Sequence, residues 1–187
     1  VERAVAAGIV VVASSGNFGG DPTTHEPAYA GITSPGNAPS AITVGALDIA
    51  DTVTRRDDTV AWYSSRGPTW YDAFAKPDLV APGHRMVSDT DSTTELYSTY
   101  PGGLVTTSAK STKAARYLRL SGTSMAAAVT SGVVALMLEA NTLLGYRDVQ
   151  EILALSASHP DSMAWKTNAA TNWNLGGSGQ QCHHPVL

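Results

Sequence analysis

From Thr123 to Ala140 almost every residue is small or apolar, and the run opens on Ser121-Gly122-Thr123-Ser124-Met125-Ala126. A helix with no polar face wide enough for a surface position belongs in the interior, so other layers of structure have to be built around it. The same opening sets a hydroxyl, that of Ser124, in the helix's first turn. Backbone N–H groups there lack intrahelical acceptors and the dipole is positive, so an oxygen that becomes anionic nearby is stabilised. Ser124 is therefore a candidate nucleophile. Taken alone, a serine after Gly-Thr is first of all an N-cap, and only its company decides between the two readings.

Upstream, Val1–Ala7 suits a helix with Gly8 as its C-terminal cap, leading into the β-branched run Ile9–Ala13, which fits a strand buried on both faces of a parallel sheet. Helix, glycine and buried strand in that order predict an α/β fold. Residues 14–40 are rich in Ser, Gly, Pro, Asn and Thr and read as loop, and Ala41–Leu47 resumes as a short buried strand. Val60–Tyr63, Asp78–Ala81 and Arg116–Leu120 read as further short strands, Pro82-Gly83 as a turn, and 88–115 as polar and irregular. Tyr146–Ser156 has amphipathic spacing at Val149, Ile152, Leu153 and Leu155 and is expected to pack on the outside. After Pro160 the pattern fades, and there are no internal repeats.

With 187 residues, 43% of them hydrophobic and 15% charged, the chain fits one globular domain or a large part of one. A net charge of -4, and basic residues clustered only in the sparse Lys110, Lys113, Arg116, Arg119 stretch, point to no nucleic acid partner. No run is expected to be apolar and long enough for a membrane. The single cysteine, Cys182, rules out an internal disulfide, and beside His183 and His184 it lacks the spaced partners of a zinc site. The first residue is Val1, without a methionine, and the chain is expected to be an internal piece of a longer protein.

A hydroxyl is a poor nucleophile until a base takes its proton, and acyl transfer needs donors aimed at the developing oxyanion. The loop Ser14-Ser15-Gly16-Asn17 follows directly on a strand, at the carboxyl edge where open α/β sheets place their sites. An amide such as that of Asn17 stabilises an oxyanion without the charge that would trap a carboxylate product. A lone Gly-Asn is otherwise a turn.

The segments GIVVVASSGNFG, SPGNAPSAITVGALD, YSSRGPT, KPDLVAPG and SGTSMA, in this order and spacing over residues 1–156, together resemble the subtilisin-like serine proteases, or subtilases. The resemblance implies the C-terminal portion of a subtilisin-like three-layer α/β fold, with a mostly parallel sheet and a buried central helix starting at the nucleophile. On that basis residues 1–160 form the C-terminal part of a catalytic domain, and 161–187 a poorly matched segment. It further implies a serine endopeptidase that cleaves polypeptides through an acyl-enzyme, with Ser124 as nucleophile and the Asn17 amide and Ser124 N–H as oxyanion donors. Ser14, Ser15 and Gly16 resemble the wall of the pocket for the residue preceding the cut, with Phe18 near its base or rim and a hydrophobic or aromatic preference. Met125 would pack beside the nucleophile as an oxidation liability. No cofactor is implied for the chemistry; a structural calcium ion is, on the backbone carbonyls of Gly36, Ala38 and Ala41. An exported location is favoured, with a cytoplasmic one open.

Two features depart from the family pattern. Ala128 stands where the family has proline, which removes a rigid φ but adds an N–H. The ending GSGQQCHHPVL does not resemble the family's close. The acid in an Asp-Thr/Ser-Gly turn and the base in a His-Gly-Thr-His segment have no counterpart, since none of the five histidines precedes Gly-Thr. His25 and His84 read as solvated loop residues. Acid and base are thus expected upstream, in an N-terminal half acting as this chain's partner, and residues 1–187 alone are expected to be inactive, with unpaired sheet edges. Two alternatives stay open. An α/β-hydrolase esterase would take acid and base from Asp148 or Asp161 with His159, His183 or His184, but its nucleophile elbow needs glycine where Ala126 stands. A non-catalytic, peptide-binding subtilase-like domain would have kept the scaffold alone.

Overall fold

The structure, a computed structural model, describes residues 1–106 and 116–158. The expectations for Lys110, Lys113, His159, Asp161, Cys182, His183, His184 and the 161–187 segment lie outside these residues. Helix α1 (Glu2–Ala6) ends as expected: Gly8 has φ +86°, its N–H donates to Val5 O at 2.9 Å, and Ile9 N–H donates to Ala4 O at 3.0 Å. This is the Schellman pattern, and the positive φ makes glycine the residue of choice there.

The chain then enters β1 (Val12–Ser14), which pairs in parallel with β2 (Ile42–Asp48). β2 is the centre of the main sheet. Val44 faces Ser14 on one edge and Leu79 on the other, and Leu47 likewise lies between Val60 and Pro82. β1 and the antiparallel β3 (Thr59–Val60) therefore share one edge, and the parallel β4 (Leu79–Pro82) takes the other. Flanked on both edges, β2 is buried from Ile42 through Leu47. At Gly45 a side chain would start 2.9 Å from Ser64 Oγ and 3.0 Å from Val80 Cγ1, so close approach excludes anything larger.

A second, antiparallel sheet has the order β5 (Met86–Asp89), β7 (Tyr117–Leu120), β6 (Leu104–Val105), with a short helix α2 (Glu95–Thr99) between β5 and β6. The segment expected to be irregular thus holds regular structure. β5 keeps no buried face, so it has no alternation to betray it. The strand expected over Val60–Tyr63 is shorter, because the chain turns at once: Ser64 N–H returns to Ala61 O at 2.9 Å.

Helix α3 (Thr123–Ala140) packs on β1, β2 and β4. Its burial is narrower than expected: Thr123, Ala126, Thr130 and Val134 form one buried stripe, while Leu136 is 66% exposed. β1 departs in the same way. Its far edge carries no strand among the described residues, and Ile9 lies 56% exposed. With 18 residues and a mean hydropathy of 1.5, α3 is also long and apolar enough to cross a membrane by length and composition, contrary to expectation; its buried stripe seats it on the sheet instead. In α4 (Tyr146–Ser156) only Val149 and Leu153, one turn apart, enter the core, whereas Ile152 and Leu155 face outward. Asp148 fixes its start by accepting Gly145 N–H at 2.7 Å. Ile42, Val44, Ala46, Leu79, Ala81, Ala126, Val134, Val149 and Leu153 belong to one cluster, so sheet and both long helices share a core.

Candidate active site

The carboxyl end of β1 and the N-terminus of α3 meet at a small set of hydrogen bonds. Asn17 Oδ1 accepts from Thr123 N–H and from Thr123 Oγ1–H, each at 3.0 Å. Thr123 Oγ1 in turn accepts from Gly16 N–H at 3.2 Å. A backbone N–H can only donate, so the atom facing it is the amide oxygen, and this fixes the rotamer that an unassisted assignment leaves ambiguous. Nδ2 is thereby turned towards the helix mouth, where a side chain on Gly122 would begin 3.4 Å from it. The first N–H of α3, on Thr123, is thus satisfied by Asn17, and the second belongs to Ser124.

Ser124 and Asn17 are both exposed, and Met125 beside the serine is half-buried. Gly122 stands at the cap position of α3, has no side chain to cap it, and its carbonyl accepts Met125 N–H at 3.1 Å. Ser124, inside the first turn, does not take the capping role weighed for it, and it is exposed.

The remaining loop residues take different positions. Ser14 is half-buried at the end of β1. Ser15 is fully buried, with N–H on Val44 O at 2.9 Å, so it backs the loop from beneath and does not form an open wall. Gly16 has φ +106°, and a side chain there would collide with Thr33 Oγ1 at 2.7 Å, so both backbone and space require glycine. Phe18 is 66% exposed.

Several positioning residues carried no signal in the sequence as read. Thr123 is 1% exposed and acts as the latch described above. Ser65 Oγ accepts Phe18 N–H at 3.0 Å, Ser65 N–H donates to Gly16 O at 2.9 Å, and the Arg66 guanidinium donates to Gly19 O. The Ser64-Ser65-Arg66 turn therefore braces the Asn17 loop, a role that composition does not announce. Gly83, assigned a turn only, also holds the helix start: its carbonyl accepts Gly122 N–H at 2.9 Å, and a side chain on it would lie 3.0 Å from Ala126 Cβ.

Neither described histidine is a simply solvated loop residue. His25 stacks on Trp62 at 4.3 Å between ring centroids. His84 sits with Nδ1 3.4 Å from Tyr63 Oη and Nε2 3.7 Å from Asp48 Oδ2. Tyr63 Oη–H donates to Gly83 O at 3.2 Å, and burial pushes its pKa up to about 12, so it remains a neutral donor.

The loop expected to hold calcium presents a different picture. Gly36 O accepts Thr43 Oγ1–H at 2.6 Å, Ala38 O accepts Ala41 N–H at 3.2 Å, and Ala41 O accepts Lys76 Nζ–H at 2.7 Å. A cation does not fit beside a carbonyl that already faces an ammonium group.

The family model for the subtilases, Peptidase_S8, matches residues 1–179. The chain is 42% identical over 154 residues to the serine protease AprX of Bacillus subtilis, covering 82% of this chain and 31% of that protein. It is 30% identical over 159 residues to subtilisin DY of Bacillus licheniformis, covering 85% and 43%. Among solved structures it resembles sphericase with a TM-score of 0.59 at 25% identity, covering 83% of this chain and 42% of that one. The chain thus spans less than half the length of these relatives. The family match covers the sheet, the Asn17 loop and the start of α3 alike, and the chain belongs to the subtilase family.

Proposed function

We propose that the protein containing this chain is a serine endopeptidase in which Ser124 is the nucleophile and Asn17 an oxyanion donor. The observation that carries the reading is the Thr123 latch: two hydrogen bonds at 3.0 Å hold the Asn17 oxygen, which commits the amide N–H2 to the helix mouth beside Ser124. Preorganised donors of this kind act where charge develops in the transition state.

The steps follow from those positions. Ser124 Oγ attacks the carbonyl carbon of a peptide bond as its proton passes to a histidine base. The carbonyl oxygen becomes anionic and is met by Asn17 Nδ2–H and Ser124 N–H. Collapse of the tetrahedral species breaks the C–N bond, the amine leaves with the proton returned by the base, and water then releases the acyl group by the same route in reverse.

The base and the acid that orients it come, in this reading, from sequence upstream of Val1. That part would pair with the free edge of β1 and cover the open face of α3, where Ile9, Val10, Val12, Val134, Leu138 and Leu144 line an apolar groove. Ser14 and Gly16 would line the side-chain pocket with Phe18 at its rim. Polypeptide is the substrate class. Residues 1–187 by themselves are expected to be inactive; in subtilisin, loss of the triad costs about 2 × 10⁶ in kcat.

The test is hydrolysis of an unfolded protein substrate by the full-length protein and by its Ser124→Ala variant. Cleavage that vanishes with the variant supports the protease. An inactive full-length protein that still binds peptide would establish the non-catalytic alternative.

A further inference from the structure

Lys76 lies three residues before β4 with its side chain only 4% exposed, and it is ion-paired with Asp78. Its Nζ donates to Ala41 O and to Asp78 Oδ2, each at 2.7 Å. The same Asp78 Oδ2 accepts Thr43 N–H at 2.7 Å, and Oδ1 accepts from Gln150 Nε2 at 3.3 Å. Thr43 closes the circuit by donating its hydroxyl to Gly36 O at 2.6 Å. One ammonium therefore links the 36–41 loop to the segment entering β4, and through Asp78 reaches β2 and α4. Glu2 holds the outer side of the loop by accepting Ser40 N–H at 3.1 Å and Ser40 Oγ–H at 2.7 Å.

We propose that the Lys76 ammonium is a built-in substitute for the structural cation of this loop, so that the loop is held without a metal ion and becomes a cation site only when Lys76 is removed. The donor set is a backbone carbonyl and a carboxylate, hard oxygen ligands of the kind that suit alkali and alkaline-earth cations. An ammonium is a compact point charge that meets the same oxygens through N–H. Because it is covalently attached, it follows no mass action and no chelator withdraws it, unlike a bound ion that stabilises only in proportion to its concentration. A calcium ion arriving at Ala41 O would have to displace a like charge from a buried position.

The experiment uses the full-length protein and its Lys76→Ala and Lys76→Met variants, with Tm measured against Na⁺, K⁺ and Ca²⁺ at constant ionic strength. Without added cation the variants are expected to melt lower, by on the order of 10 °C, because Asp78 and the Ala41 carbonyl lose their partner. They are then expected to show a saturable recovery with one of the cations that the wild type lacks. Cation responses from other sites appear equally in all three proteins and drop out of the difference. Identical responses in wild type and variants would overturn the proposal.

Acetylation of the wild-type lysines, followed by peptide mass spectrometry, keeps the test open if the variants fail to fold. Lys76 is expected to stay protected relative to the other lysines in chelator and in millimolar calcium alike. Ready labelling in chelator, or protection lost on adding calcium, would overturn the proposal.

Discussion

Asn17 and Thr123 sit 106 positions apart in sequence, and their contact decides what the amide can do. Replacing Asn17 with Ala is expected to lower kcat of the full-length protein by about 10²–10³, the magnitude known for this kind of donor in subtilisin, with KM nearly unchanged and Tm lowered, because the buried Thr123 N–H loses its acceptor. Thr123→Val keeps the backbone donor but loses the hydroxyl that bridges Gly16 N–H and Asn17 Oδ1. About tenfold in kcat is expected from that loosening, on the order of one net hydrogen bond, with Thr123→Ser restoring it. Steady-state kinetics on the three variants check both. Ser124 and Asn17 were singled out through the co-occurrence of several segments in one order, since Gly-Thr-Ser alone reads as an N-cap and Gly-Asn alone as a turn. Thr123 was not, because its role exists only once the two segments meet, and Lys76 was not, because a buried lysine leaves no periodicity.

At the level of elements, the site depends on how closely the end of β4 approaches the start of α3. Gly83 leaves no room for a side chain: Gly122 O and Ala46 Cβ would each lie 2.9 Å from its Cβ. Gly83→Ala is expected to cost about 1–3 kcal/mol through that overpacking. Because the displaced atom is the carbonyl of the α3 cap, kcat is expected to fall as well. Thermal melts and kinetics on the same preparation separate the two effects; a fall in Tm with unchanged kcat would show that the helix start tolerates displacement. α3, α4, β2 and β4 were readable from hydropathy, since each carries a buried face or run. β5 and β6 were not, as neither has a buried residue in its pattern.

At the scale of the whole molecule, the half-open α3 and the free edge of β1 have one physical cause. Each is apolar enough for an interior, yet among the described residues nothing covers the outward side. In the proposed reading the main sheet, the Asn17 loop and the helix mouth together form one half of a hydrolytic site, and the upstream half would supply proton transfer. Phosphonylation of the full-length protein by a fluorophosphonate, with the modified residue located by peptide mass spectrometry, tests this most directly. A reagent of this type reacts only with a serine that is both deprotonated by a base and flanked by oxyanion donors. The expected result is a single adduct on Ser124, lost in Ser124→Ala. An adduct on another residue, or none in a folded full-length protein, would contradict Ser124 as the nucleophile.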